Sequence, residues 1–117
     1  MSNSALSQAY DRDKLVELFG DDPCTLAEVE REFLDTARGA EREIIGTDDL
    51  ATIARVAHRL KGASGMIGAA ALRQIAEAVE RAAKAEDLPS VRRLHAMFSQ
   101  EVRRVAEQAG VAEDQRS

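Results

Sequence analysis

Apolar residues recur every three or four positions through almost the whole chain and show no alternation with polar ones, so the pattern predicts amphipathic helices and no half-buried strands. Prolines and glycines agree with that period: Pro23 and Pro89 stand where helices would open, and Gly20, Gly46 and Gly110 where they would close. Asp11 is placed to cap a short helix through Leu15, Leu18 and Phe19. Asp22 and Pro23 start a longer one with Leu26, Val29, Phe33, Ala37 and Ile44 inward. Thr47 or Asp48 would cap a third, carrying Ile53, Ala57 and Leu60 inward to about Gly65. A fourth, from Ala69 or Ala70, shows Leu72, Ile75, Ala76, Val79 and Ala83 on one face. Pro89 opens a fifth, with Val91, Leu94, Phe98, Val102 and Val105 in its stripe. The expectation is an all-α domain over residues 10–110, an antiparallel up-down four-helix bundle whose additional short N-terminal helix lies across one end. Residues 1–9 are expected to form a flexible N-terminus and residues 111–117 a polar tail.

Composition narrows what such a bundle can do. At 117 residues the chain has room for one core, burying roughly 65% of its unfolded surface. Aromatic residues are 3% with no Trp, which leaves no stacking platform for single-stranded nucleic acid. The net charge of -5, without a long basic block, argues against a nucleic-acid partner. Cys24 is the single cysteine, which excludes an internal disulfide and suits a reducing cytoplasm. No stretch is apolar enough to span a membrane, and the N-terminal residues lack the pattern of an export signal. A cytoplasmic monomer is expected.

The segment from Ala57 to Ala69, AHRLKGASGMIGA, breaks the helical economy of the rest. With Ala57 at the centre of the buried stripe, His58 falls about 100° away, at its edge, where part of the ring would meet water. Lys61, Gly62 and Gly65 follow on the same side of the helix. Gly62 in a helix interior costs about 1 kcal/mol against alanine, so its missing side chain should serve some purpose. One such purpose is clearance beside the ring. Neutral imidazole is a nucleophile near neutral pH, and a phosphoryl group on it would carry close to two negative charges that a lysine one turn away could offset. Each of these residues alone is most simply a solvated or packing side chain; together they make a candidate nucleophile with a cation and space beside it.

The same residues resemble the signature of histidine-containing phosphotransfer (HPt) domains, with Ala57, His58, Leu60, Lys61, Gly62, Ser64, Gly68, Ala69 and Leu72 at matching positions. The likeness extends upstream through YDRDKLVELFGDDPCTLAEVEREFL and downstream through AEAVERAAK. It implies a free-standing phosphocarrier in which His58 is the phosphoacceptor, Lys61 neighbours the phosphoryl group and Gly62 gives access. Ser64, Gly68 and Ala69 are then structural, with Ala57, Leu60 and Leu72. The resemblance also implies a polar side chain on the following helix supporting the histidine, for which Gln74, Arg81 and Lys84 are candidates. A surface of Arg55, Arg59, Gly65, Met66 and Ile67 would dock partners: the receiver domain of a hybrid sensor kinase as donor and that of a response regulator as acceptor. Such a carrier needs no cofactor of its own, since the receiver brings the acidic pocket and Mg²⁺.

Other features are weaker. The chain has no phosphate-binding glycine loop of the nucleotide-hydrolase type, so phosphorylation from ATP is not expected. Paired Glu-x-x-His motifs for a di-iron bundle fail, because Arg55 and Arg92 occupy the positions three before His58 and His95. His95 is expected to be a partly packed structural residue, and Cys24 passive. The alternative is a helical scaffold or decoy that binds receivers without accepting phosphate; the intact trio of His58, Lys61 and Gly62 weighs against it.

Overall fold

A computed structural model describes residues 8–110, and every regular element among them is helical. α1 (Arg12–Phe19), α2 (Pro23–Ile45), α3 (Leu50–Met66), α4 (Ala70–Lys84), α5 (Leu88–Arg93) and α6 (His95–Ala109) follow one another through short connections. The punctuation acts largely as expected. Asp11 accepts the Lys14 N–H and Asp22 the Thr25 N–H, while the Gly20, Gly46 and Gly110 amides close the C-terminal turns of α1, α2 and α6.

Three boundaries differ from the sequence expectation. α3 is capped by neither Thr47 nor Asp48: Asp49 takes the cap position, its carboxylate accepting the Thr52 hydroxyl (2.5 Å), and Thr47 Oγ1 instead accepts the Asp49 N–H (3.0 Å). The expected last helix is two segments. Asp87 caps the first by accepting both the amide (3.1 Å) and the hydroxyl (2.6 Å) of Ser90, so the helix begins at Leu88, one residue before the proline. At Leu94 the amide is shared between the carbonyls of Ser90 and Val91, a tightened turn that separates α5 from α6. Ala9, expected in a flexible terminus, is buried; residues 1–7 and 111–117 of the two expected ends lie outside the described residues.

α2, α3, α4 and α6 close a ring in which α2 packs on α3 and α6, and α4 on α3 and α6, with α5 against α4. Inside it lie the predicted stripes: Leu26, Phe33 and Ala37 from α2, Ile53, Ala57 and Leu60 from α3, Leu72 and Val79 from α4, Phe98 and Val105 from α6. Each such Leu, Ile, Val or Phe side chain contributes about 1.5–3 kcal/mol by leaving water, offsetting the entropy of ordering the helices.

One end of the ring is closed by the segment leading into α1. Tyr10 is buried, its hydroxyl donating to Glu30 Oε2 (2.6 Å), which Arg12 also reaches (3.1 Å). Gln108, near the end of α6, accepts the amides of Ala9 and Tyr10 and donates to the Tyr10 carbonyl (3.0 Å). The Asp11 N–H donates to the Ile67 carbonyl (3.0 Å) in the turn between α3 and α4. That turn depends on Gly68, at φ 72°, where an added Cβ would stand 2.6 Å from Asp11 Cβ. At the opposite connection Arg92 donates to the carbonyls of Ile44 (2.9 Å) and Thr47 (2.7 Å) and to Asp48 (2.7 Å), so this residue is a clamp on the α2–α3 loop.

Candidate functional site

The site forms along the seam between α3 and α4. Small residues at the packed faces, Ala57 and Ser64 on α3 and Ala76 on α4, let the two helices approach closely. Ile53, Val56, Ala57, Leu60 and Ser64 turn inward, which leaves His58 at the margin of the buried stripe as its angular position predicts. Its side chain is 67% exposed. On α4 the stripe of Leu72, Ile75, Ala76, Val79 and Ala83 is buried, and Glu80 lies at its margin facing α3.

Glu80 is the centre of the arrangement, and sequence reasoning did not single it out. Its side chain is only 7% exposed, and both carboxylate oxygens are engaged. Oε2 lies 3.0 Å from His58 Nδ1 and 3.1 Å from Lys84 Nζ; Oε1 lies 3.1 Å from Lys61 Nζ. Burial alone would push the Glu80 carboxyl up, but hydrogen bonds from Lys61, Lys84 and His58 outweigh it and hold the group down at about 2. An ionised carboxylate can only accept, so Nδ1 of His58 carries the proton of that bond, and in a neutral ring the lone pair is then on Nε2. Nε2 has no hydrogen-bond partner among the described residues. A side chain at Gly62, one turn on, would meet nothing within 4 Å, so the approach to the ring is open.

The other predicted residues divide between this seam and elsewhere. Lys61 is half-buried and Lys84 exposed, both on Glu80; Lys84 is the member of the proposed supporting trio that reaches the site. Gln74 instead lines a groove toward α6 with Met97 and Arg104, and Arg81 donates to Glu77 (3.1 Å), which Arg73 also pairs. Ser64, Gly68, Ala69 and Leu72 build the hairpin turn: the Ser64 carbonyl accepts the Ala69 N–H (2.8 Å), and Leu72 is fully buried. The Ser64 hydroxyl is buried without a hydrogen-bond partner among the described residues. Of the docking set, Arg55, Arg59 and Met66 are exposed and Gly65 is half-buried under the stem of Arg73. Ile67 is not part of that surface: it is buried, because the segment before α1 covers the turn.

His95 lies apart, partly exposed, with Nδ1 3.8 Å from Glu41 and Nε2 near Ser99, whose hydroxyl donates to Glu41. It lines a cavity of about 190 Å³ with Val79, Val91 and Phe98. Cys24 is exposed in the first turn of α2. Among the described residues no group of three or more His, Cys, Asp or Glu side chains could hold a metal ion, and no helix is long and apolar enough to cross a membrane.

A family model described as the Hpt domain matches residues 25–108. No curated protein and no solved structure matches the chain. Running from the first turn of α2 to the last turn of α6, the family match covers more than two thirds of the sequence, and the chain therefore belongs to the Hpt domain family, the phosphocarriers that exchange a histidine-borne phosphoryl group with receiver domains in phosphorelays.

Proposed function

We propose that His58 is the phosphoacceptor of this carrier, taking a phosphoryl group from the aspartyl phosphate of a hybrid sensor kinase's receiver domain and passing it to the receiver domain of a response regulator. The observation that supports this reading best is the state of the ring: Nδ1 is tied to Glu80 (3.0 Å), while the side chain is 67% exposed and Nε2 has no hydrogen-bond partner among the described residues. A neutral imidazole so held presents its lone pair in a fixed direction, which favours in-line attack over free rotation.

The helices supply the frame, and we take their arrangement as antiparallel and up-down with α1 across one end. Lys61 is proposed to neighbour the transferred group, keeping one N–H on Glu80 and turning another to a phosphoryl oxygen; a charge-assisted contact of this kind is worth about 1.5–3 kcal/mol. Gly62 gives the partner's backbone room. Arg55, Arg59 and Met66 would form the docking rim, basic charge meeting a receiver's acidic mouth around an apolar contact. Mg²⁺ and the acidic pocket belong to the partner. The free thiol of Cys24 suits a cytoplasmic carrier, and we propose that it acts as a monomer.

Incubation with a phosphorylated receiver tests the assignment. Wild type should acquire an acid-labile, alkali-stable label and His58→Gln none; label retained on the variant would remove His58 from its role. A receiver-binding scaffold without phosphotransfer would bind equally well and leave both proteins unlabelled.

A further inference from the structure

Phosphotransfer by a histidine has a proton requirement that a static site must meet. The N–P bond of a phosphoimidazole breaks readily when the other ring nitrogen carries a proton, because the leaving group is then neutral imidazole. Without that proton the ring would have to leave as imidazolate, and the phosphoryl group is kinetically trapped. An unassisted imidazole gives up its second proton near pH 6.5, so a phosphohistidine in cytoplasm-like conditions would spend much of its time in the trapped form.

A neutral amide facing Nδ1 would fix the ring as well as a carboxylate does, since both accept the N–H. Only the carboxylate also stabilises a positive ring by charge. Here the group is Glu80, nearly excluded from water and 3.0 Å from Nδ1. A buried carboxyl alone would tend to take up a proton and lose that ability. Lys61 on one oxygen and Lys84 on the other prevent this.

We propose that the Glu80 carboxylate, kept ionised by Lys61 and Lys84, holds the proton on Nδ1 of phosphorylated His58 through the neutral pH range, so that the phosphoryl group stays transferable in both directions with no proton delivered or removed. This rests on His58 being the phosphoacceptor. In the first transfer the Nε2 lone pair forms the N–P bond while the O–P bond of the donor's aspartyl phosphate breaks, its electron pair leaving on the carboxylate. The ring becomes cationic and keeps its Nδ1–H on Glu80. In the second transfer a receiver carboxylate oxygen forms the new O–P bond and the N–P pair returns to Nε2, regenerating the neutral ring. The two lysines exceed the one carboxylate by a single positive charge, which remains to face the phosphoryl oxygens. Glu80 is thus a positioning residue that acts through the ring.

The surrounding charges leave this role to Glu80. On α3, Arg55 and Arg59 are exposed and Lys61 is on Glu80; on α4, Glu77 is occupied by Arg73 and Arg81. From α2, Asp35 and Glu43 share a groove with Arg59. Among the described residues no other carboxylate stands within ion-pair distance of the His58 ring.

The test loads the full chain from phosphoramidate, a small donor that needs no partner, and follows the ring nitrogens by ¹⁵N NMR between about pH 6 and pH 9, alongside the rate of transfer to a receiver. Wild type should keep the Nδ1 proton and a flat transfer profile relative to the variant. Glu80→Gln should lose the proton near pH 6.5 and then slow by about tenfold per pH unit. If Glu80→Gln folds poorly, the wild-type nitrogen titration carries the test by itself, because the Nδ1 proton should stay in place well above pH 6.5. Loss of the Nδ1 proton near pH 6.5 in labelled wild type, or matching profiles for wild type and Glu80→Gln, would each overturn the inference alone. Failure of His58 to take label in wild type would overturn the phosphoacceptor reading with it.

Discussion

At the scale of single residues, Gly62 separates the needs of the helix from those of the site. A Cβ there would touch nothing, and the backbone is ordinary α-helix, so Gly62→Ala should stabilise the isolated protein by about 1 kcal/mol. Gly62→Leu should leave the fold intact and slow receiver-dependent phosphorylation of His58 by at least about tenfold through lost clearance. Thermal melts and transfer rates on the same preparations check both, and unchanged transfer in the leucine variant would show that the open surface is not the route of approach. His58 and Gly62 were legible from one helix's own periodicity. Glu80 was not, since its contact with His58 depends on how α4 is set against α3, which a single sequence does not specify. A signal was nonetheless present: an acidic residue at the edge of an apolar stripe, with Lys84 four residues on.

At the scale of elements, the α3–α4 hairpin is held by its turn as much as by its stripes. Gly68 adopts a left-handed backbone that costs other residues about 1–2 kcal/mol, and a Cβ there would also press on Asp11, the cap of α1. Gly68→Ala should therefore lower stability by more than that figure; urea unfolding with a loss below about 1 kcal/mol would mean that the segment before α1 gives way freely. The first four helices, the inward faces and most caps followed from spacing and punctuation, because those signals are local. The failures were tertiary or finely balanced. Ile67 reads as an exposed residue past a helix end, yet it is covered by a segment more than fifty positions earlier in the chain. The interruption at Leu94 has no proline or glycine to announce it, and Thr47, Asp48 and Asp49 are three adjacent capping residues among which local chemistry alone does not choose.

At the scale of the whole molecule, two titrating groups set opposite edges to the stability range. The Glu80 carboxyl is held at about 2 in the fold against an ordinary 4.5, so its contribution is complete above about pH 4.5 and is lost as pH falls toward 2. Tyr10 is shifted the other way. Burial, then the hydrogen bond and charge of Glu30, keep its phenol neutral beyond the ordinary value of 10, so that contribution is complete below pH 10 and fades as pH rises further. Denaturant midpoints across pH should fall at both extremes; Glu80→Gln should flatten the acid side only, and an unchanged acid slope would show that the cluster around His58 is not linked to folding. The side chain of Gln108, joined to both amides of Ala9 and Tyr10, has a topological consequence. It brings residues near 8 and 110 to one pole, which makes the described chain nearly a closed circuit. A circular permutant linked from residue 110 to residue 8 by a short flexible bridge, and opened between the exposed Gly20 and Asp21, should fold cooperatively and, on the role proposed for His58, accept phosphate there as the parent chain does. In such a molecule the order of helices along the chain changes while the seam that carries the histidine does not, so equal phosphotransfer by the permutant and the parent would show that the seam's geometry, and not the order of connection, sets the activity.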